Sequence, residues 1–243
     1  MHPLDSSRSK LRWAQHHLSI LSESIRAHYD QGGEQDASQS AAPLVHKPFK
    51  IPPVIEWSLV VGDAVHNMRC TLDHLAYALA VKNSGGTKRP SRRTAFPIFE
   101  ERNAKNFRNL TAEIEPEARN EIERLQPYGR KNSLWVLAEL SNSDKHHKLS
   151  IVPLGVSFPT GFSVPAGKTV EIGLQDARIF EIDPATGQPQ KEIYAGGKPT
   201  IFVELPRSGD RLPVDDLQEI HDFIAREVLP SFTRFFTAAA GVT

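Results

Sequence analysis

The stretch from Val54 to Lys82 constrains the fold of this chain more than any other segment. Its apolar residues recur at intervals of three and four, which places them on one side of an α-helix. Two prolines precede the stretch and Gly85-Gly86 follows it, as is common at helix starts and ends. The pattern predicts one long amphipathic helix. The residues it would bury are Trp57, Val60, Val61, Ala64, Val65, Met68, Leu72, Leu75 and Leu79.

The opposite face of this helix carries short polar groups in place of the lysines and glutamates that usually cover a solvated face. Buried polar groups need hydrogen-bond partners, so this composition predicts a partly enclosed site. The alternative is an ion pair between Arg69 and Asp73, four residues apart, with the histidines as ordinary core residues. The residues of this face are Asp63, His66, Asn67, Arg69, Cys70, Asp73, His74 and Tyr77.

A second polar cluster lies at the end of a helix predicted from Leu134. Cations are favoured at a helix C-terminus by the macrodipole, which accounts for Lys145, His146 and His147. It does not account for Asp144, whose negative charge would lie at the negative end of the helix. We therefore interpret Asp144 and His146 as candidate catalytic residues and Lys145 as a candidate substrate-binding residue.

A basic segment follows the central helix, between Thr87 and Arg93. It is either a solvated connection or a contact to phosphate or RNA, because lysine and arginine supply sequence-independent affinity for a nucleic-acid backbone. Its candidate substrate-binding residues are Arg89, Arg92 and Arg93.

From Leu149 onward the pattern changes to short alternating apolar segments, which predict strands. Turn residues separate them, among them Ala195–Pro199. A last helix is predicted from Pro213. Helices followed by strands and a closing helix indicate an α+β fold. We expect an antiparallel bundle of about four main helices, with an antiparallel β-meander inserted before the C-terminal helix.

The domain prediction is a single domain over residues 1–243. Its helical part is 1–148 with a flexible loop at 32–50, its β-meander 149–212, and its closing helix 213–238. The formal net charge is zero, so the bulk composition does not require a nucleic-acid partner. One cysteine, no secretory signal pattern and no apolar run of about 20 residues favour a cytoplasmic protein that does not span a membrane.

Four segments together resemble a family of uncharacterised bacterial and phage proteins. They are Gly62–Leu75, Phe96–Ile98, Leu125–Tyr128 and Asp144–His146. The resemblance covers roughly residues 55 to 150 and implies no settled activity.

A looser resemblance is to HEPN domains, whose signature is an arginine, four residues and a histidine, as in Arg69 and His74. HEPN domains are helical bundles, often dimeric, and many are metal-independent endoribonucleases of toxin–antitoxin and antiphage systems. The resemblance implies that Arg69 binds phosphate and that His74 acts as acid or base for attack by a ribose 2′-OH. RNA and a second copy of the chain are the partners it implies. Here the signature is early in the chain and Cys70 follows the arginine, which departs from the usual HEPN pattern.

Two other functions use the same residues. The first is a metal-dependent hydrolase, with His66, Asp73, Asp144 and His147 as ligands of a divalent metal on facing helices. The second is a non-catalytic protein that binds a small ligand or a protein partner. The nuclease hypothesis needs no cofactor.

Overall fold

The central helix forms as predicted. In the computed structural model, which describes residues 2–30, 52–144, 149–157, 169–172, 177–182, 189–205 and 207–236, it is α2, Val54–Asn83. The predicted apolar stripe is buried, except that Val60 is only partly so. The helix ends where Gly85 and Gly86 take φ values of 62° and 75°, a backbone region that glycine enters without steric cost. The Gly86 N–H then donates to the Val81 carbonyl at 2.9 Å.

Helix α1, Asp5–Asp30, packs along α2. Its apolar stripe, Leu11, Ala14, Leu18 and Leu21, is buried against the core. Near the C-terminal end of α1, the Ser24 hydroxyl accepts a hydrogen bond of 2.9 Å from the indole of Trp57, which is 1% exposed. That bond satisfies the polar atom of a buried aromatic ring and fixes the register of the two helices.

Three further helices follow, α3 (Ala104–Thr111), α4 (Pro116–Arg124) and α5 (Ser133–Asp144). The Asn103 side chain caps α3 by accepting from the Asn106 N–H. Helix α5 packs on α2, and α2 also contacts the first strand. The predicted loop at 32–50 lies outside the described residues.

The strands are β1 (Ile151–Ser157), β2 (Thr169–Ile172), β3 (Ala177–Ile182), β4 (Pro189–Glu204) and β5 (Arg211–Pro213). All described pairs are antiparallel, and the order is β1-β4-β3-β2, with β5 also on β4. Strands β2 to β5 follow one another as in a meander, whereas β1 crosses to β4. Ile201 and Val203, near the end of β4, belong to the same buried core as the helices.

The predicted turn at Ala195–Pro199 is wrong, because β4 runs through it. The first part of this segment pairs with β3 and the second with β1, for example Ala195 with Arg178 and Lys198 with Ser157. The β3–β4 register shifts at Gly196, since Ala177 pairs with Gly197 and Arg178 with Ala195. Pairing on both halves therefore overrides the local preference for a turn.

The C-terminal helical run starts with a 3₁₀ turn, Val214–Asp216, and continues as α6, Leu217–Phe223. A π-helical turn, Ile224–Val228, then leads into α7, Leu229–Thr233. Pro230 cannot donate a backbone hydrogen bond, and the wider π turn directly before it accommodates this without ending the helix. Helix α6 packs on α1 and α5.

The molecule is therefore α+β, and among the described residues the helices supply most of the core. Within the described ranges no helix is long and apolar enough to cross a membrane.

Candidate functional site

The Arg69 guanidinium binds Asp73 and the backbone of the segment that returns over α2. Its Nε and Nη2 atoms donate to the two Asp73 oxygens at 3.2 and 2.9 Å, and Nη2 also donates to the Phe96 carbonyl at 2.6 Å. The Phe96 N–H donates to Asp73 Oδ1 at 3.1 Å. The ion pair of the alternative interpretation is thus present, and it includes a third partner.

This network holds the segment Thr94–Phe99 against α2. Phe96 is fully buried, and its ring meets that of Phe232 edge to face, with centroids 6.4 Å apart. The bidentate geometry is one that arginine provides and lysine does not. Arg69 is therefore occupied by contacts inside the chain.

A cavity of about 900 Å³ lies beside this network, between the start of α1, the second half of α2 and the basic loop. It brings the end of the predicted polar face together with the predicted basic segment. We call it the α1–α2 cavity. Its lining residues are Pro3, Ser6, Asp73, His74, Tyr77, Ala78, Val81, Lys82, Gly85, Gly86, Arg89, Pro90, Ser91, Arg92 and Thr94.

His74 lies in the wall of the α1–α2 cavity, with its Nδ1 atom 2.7 Å from the Ser6 hydroxyl. Burial lowers the pKa of His74 below its ordinary value; the Lys10 ammonium lowers it further, and the Asp73 carboxylate raises it. At neutral pH the imidazole is therefore neutral. A neutral imidazole can accept a proton or a hydrogen bond from a ligand.

The lowered pKa of His74 predicts a specific pH dependence of stability. The unfolded chain binds more protons than the folded chain as the pH falls past the ordinary value of 6.5, so the free energy of unfolding decreases on acidification. Between about pH 8 and pH 5.5 the free energy of unfolding, measured with urea, should therefore fall less in His74→Gln than in the unaltered protein. The carboxylates with lowered pKa, Glu113, Glu121, Asp210 and Asp222, titrate below this range.

The control for this prediction is His16→Gln, since His16 is an exposed histidine on α1. An unchanged pH dependence in His74→Gln would contradict the prediction.

Glu113 fixes the C-terminal end of the basic loop. This carboxylate accepts from the Ser91 N–H at 2.7 Å and from the Thr94 hydroxyl at 2.5 Å. Before the loop begins, Lys82 at the end of α2 pairs with Glu115 at 2.9 Å. Held this way, the loop turns Arg89 and Arg92 toward the α1–α2 cavity, whereas Arg93 is not among the residues that line it. The role of Glu113 does not follow from the sequence, because nothing in its neighbourhood distinguishes it from a surface carboxylate.

The outer part of the polar face has contacts of its own. The Asn67 amide donates to the Asp63 carbonyl at 2.8 Å and accepts from the Lys10 ammonium at 3.4 Å. His66 is exposed, with its Nε2 atom 3.4 Å from the Cys70 sulfur. Neither His66 nor Asn67 lines the α1–α2 cavity, so both lie outside the site that includes His74.

The second polar cluster lies largely beyond what the structure describes. Asp144 is the last residue of α5, and its side chain is outside the described part, as are Lys145, His146 and His147. In the described part, no three His, Cys, Asp or Glu side chains are grouped so that they could hold a metal ion. The metal site, with His66 and Asp73 as its described ligands, stays a prediction.

Comparison with protein-family models, with curated proteins and with solved structures gives no significant match. Function therefore has to be inferred from the site itself.

Proposed function

We propose that this protein binds a small ligand in the α1–α2 cavity, and that the ligand joins a phosphate group to an aromatic or apolar body. The observation that carries the proposal is that one cavity brings His74 together with Arg89 and Arg92. These residues come from two separate segments, the polar face of α2 and the basic loop, and each stands out in the sequence for its own composition.

The chemistry of the lining supports a ligand of this kind. Guanidinium groups bind phosphate oxygens in pairs, and Arg89 and Arg92 are both exposed to an arriving ligand. Pro3, Ala78 and Val81 add apolar surface to the lining, and Tyr77 is 43% exposed. An aromatic ring exposed in a cavity wall is suited to stacking on a planar group. A volume of about 900 Å³ accommodates a ligand of nucleotide size.

A titration with adenosine 5′-monophosphate (AMP), followed by NMR, tests the proposal. We expect AMP to shift the ring signals of His74 and Tyr77 and the Nε–Hε signals of Arg89 and Arg92. The signals of Arg93 provide the internal control, because Arg93 belongs to the same loop but does not line the cavity. Shifts at Arg93 equal to those at Arg92, or none at any of these residues, would refute the proposal.

A second candidate function is a HEPN-like, metal-independent endoribonuclease, which the neutral His74 beside two arginines favours. In this candidate His74 removes the proton of a ribose 2′-OH, which attacks the adjacent phosphorus. Arg89 and Arg92 bind the phosphate. The bond from phosphorus to the 5′ oxygen breaks, that oxygen takes a proton from water to become a 5′-hydroxyl, and a 2′,3′-cyclic phosphate is left on the other fragment. Arg69 acts indirectly, through its hold on Phe96. Packing of α2 on α1 and α5, and of α6 on the same two helices, supports a helical bundle, which is what the resemblance implies.

Incubation of the protein with RNA in the presence of EDTA tests this candidate. We expect cyclic phosphate ends, and a cleavage rate about 100-fold lower in His74→Ala, as is typical for loss of a general acid or base. The His16→Ala variant is the control for the loss of an imidazole from the surface. If RNA stays intact, or if His74→Ala cleaves it as fast as the unaltered protein, the protein is not this nuclease.

A further inference from the structure

A second cavity, of about 390 Å³, lies at the side of α4 and the turn that follows it. Three guanidinium groups line it, from Arg102, Arg124 and Arg130, together with the Tyr128 ring and the Glu123 carboxylate. It shares no lining residue with the α1–α2 cavity. We call it the arginine cavity.

Positive charge predominates in the lining of the arginine cavity. Its three arginines face a single carboxylate of the same lining, that of Glu123. Outside the lining, Glu121 pairs with Arg124 at 2.6 Å, but it also lies 3.5 Å from Arg234. Glu121 and Glu227 thus offset the charge of Arg124, and the excess of positive charge that attracts an anion comes from Arg102 and Arg130, which share only the Glu123 carboxylate of the lining.

The backbone that presents these groups is held rigidly. The buried Gln126 amide accepts from the Phe99 N–H at 3.0 Å and donates to the carbonyls of Pro97 and Ile122 at 2.8 and 3.1 Å. In the following turn, Gly129 has a φ of 71° and donates to the Glu100 carbonyl at 2.8 Å. A preorganised set of donors loses less entropy when a ligand binds.

The polar groups around Tyr128 indicate which further groups the anionic ligand should have. The Arg102 guanidinium lies over the Tyr128 ring, 5.2 Å from its centroid, which orients the arginine at the rim. The Tyr128 hydroxyl donates to Glu123 at 3.5 Å. Burial and the Glu123 carboxylate raise the pKa of Tyr128, so that its hydroxyl keeps its proton. The Glu123 carboxylate and the Asn120 amide can therefore accept hydrogen bonds from hydroxyl groups of a ligand.

We propose that the arginine cavity is a second binding site, for a small phosphate monoester that carries hydroxyl groups, such as a sugar phosphate. Arg102 and Arg130 bind the phosphate, whereas Arg124 is held by Glu121, and Glu123 and Asn120 bind the hydroxyls. A volume of about 390 Å³ fits a compact ligand of this class.

The test is a titration with ribose 5-phosphate and, separately, with inorganic phosphate, followed by the arginine Nε–Hε NMR signals. It is done in the Arg89→Gln/Arg92→Gln background, so that the α1–α2 cavity does not contribute. We expect ribose 5-phosphate to shift the signals of Arg102 and Arg130 and to bind more tightly than inorganic phosphate. Arg102→Gln and Arg130→Gln should each weaken binding about 10-fold, as for loss of one charge-assisted contact.

Two further variants sharpen the test. Glu123→Gln should weaken the binding of ribose 5-phosphate but not that of inorganic phosphate, because only the sugar donates to this carboxylate. Arg108→Gln, an exposed arginine of α3 that lines neither cavity, should have no effect. Equal affinities in Arg102→Gln, Arg130→Gln and Arg108→Gln, or shifts spread over all surface arginines, would overturn the proposal.

Discussion

Replacing Arg69 with alanine is expected to lower the free energy of unfolding by about 2–3 kcal/mol, as is typical when a partly buried charged network loses one member. The change leaves the Phe96 carbonyl without its donor and the Asp73 carboxylate without its counter-charge. The side chain of Arg69 is only 19% exposed, so water replaces these contacts incompletely. Urea unfolding followed by circular dichroism measures the difference.

The matched control is Arg93→Ala, which removes an exposed arginine from the basic loop and should change the free energy of unfolding by less than about 0.5 kcal/mol. Arg69→Lys should recover little of the loss, because an ammonium group cannot reproduce the bidentate contact. A double-mutant cycle with Asp73→Asn should give a coupling of about 1 kcal/mol or more. If the free energy of unfolding of Arg69→Ala equals that of the unaltered protein, the guanidinium does not stabilise the contact between α2 and the segment around Phe96.

Replacing Arg89 and Arg92 together with glutamine is expected to weaken AMP binding between about 100- and 1,000-fold, since two charge-assisted contacts to phosphate are lost. Isothermal titration calorimetry measures the dissociation constant. Both side chains are exposed, so the substitutions should leave the free energy of unfolding almost unchanged.

Arg93→Gln is again the control, because it carries the same change of charge in the same loop without touching the cavity. Its effect should be limited to the general electrostatic field, which salt screens. Comparison with pyrophosphate separates the contribution of the phosphate from that of the adenosine. Both ligands make the phosphate contacts, and only AMP also contacts the surface around Tyr77. Equal losses of affinity in Arg93→Gln and in the double variant would mean that only net charge matters.

The helices were largely predictable, because their signals are local. The period of the apolar residues between Val54 and Lys82 sufficed to predict α2, and the glycines that follow marked its end. Strand β4 was less predictable, since its middle contains turn-forming residues and only pairing with β1 and β3 makes it extended. Such pairing depends on segments distant in the chain, which a local pattern does not contain.

The residues of the candidate site stand out in the sequence by type, whereas their arrangement does not follow from it. His74, Arg89 and Arg92 stood out by residue type, yet their proximity depends on the turn at Gly85-Gly86 and on the contacts of Glu113. Of the two partners of Arg69, only Asp73 was predictable, because it follows from helical spacing. The Phe96 carbonyl belongs to a segment that returns to α2 from elsewhere in the chain. Ser6, which approaches His74 from the start of α1, has a sequence context typical of a helix start and gives no sign of a role in a site.

The most direct measurement is a crystal structure of the protein grown with AMP. We expect the phosphate to lie between the guanidinium groups of Arg89 and Arg92, with the adenine against the Tyr77 ring and His74 within hydrogen-bonding distance of the ligand. AMP bound elsewhere, with the α1–α2 cavity empty at concentrations that saturate binding in solution, would contradict the proposed function.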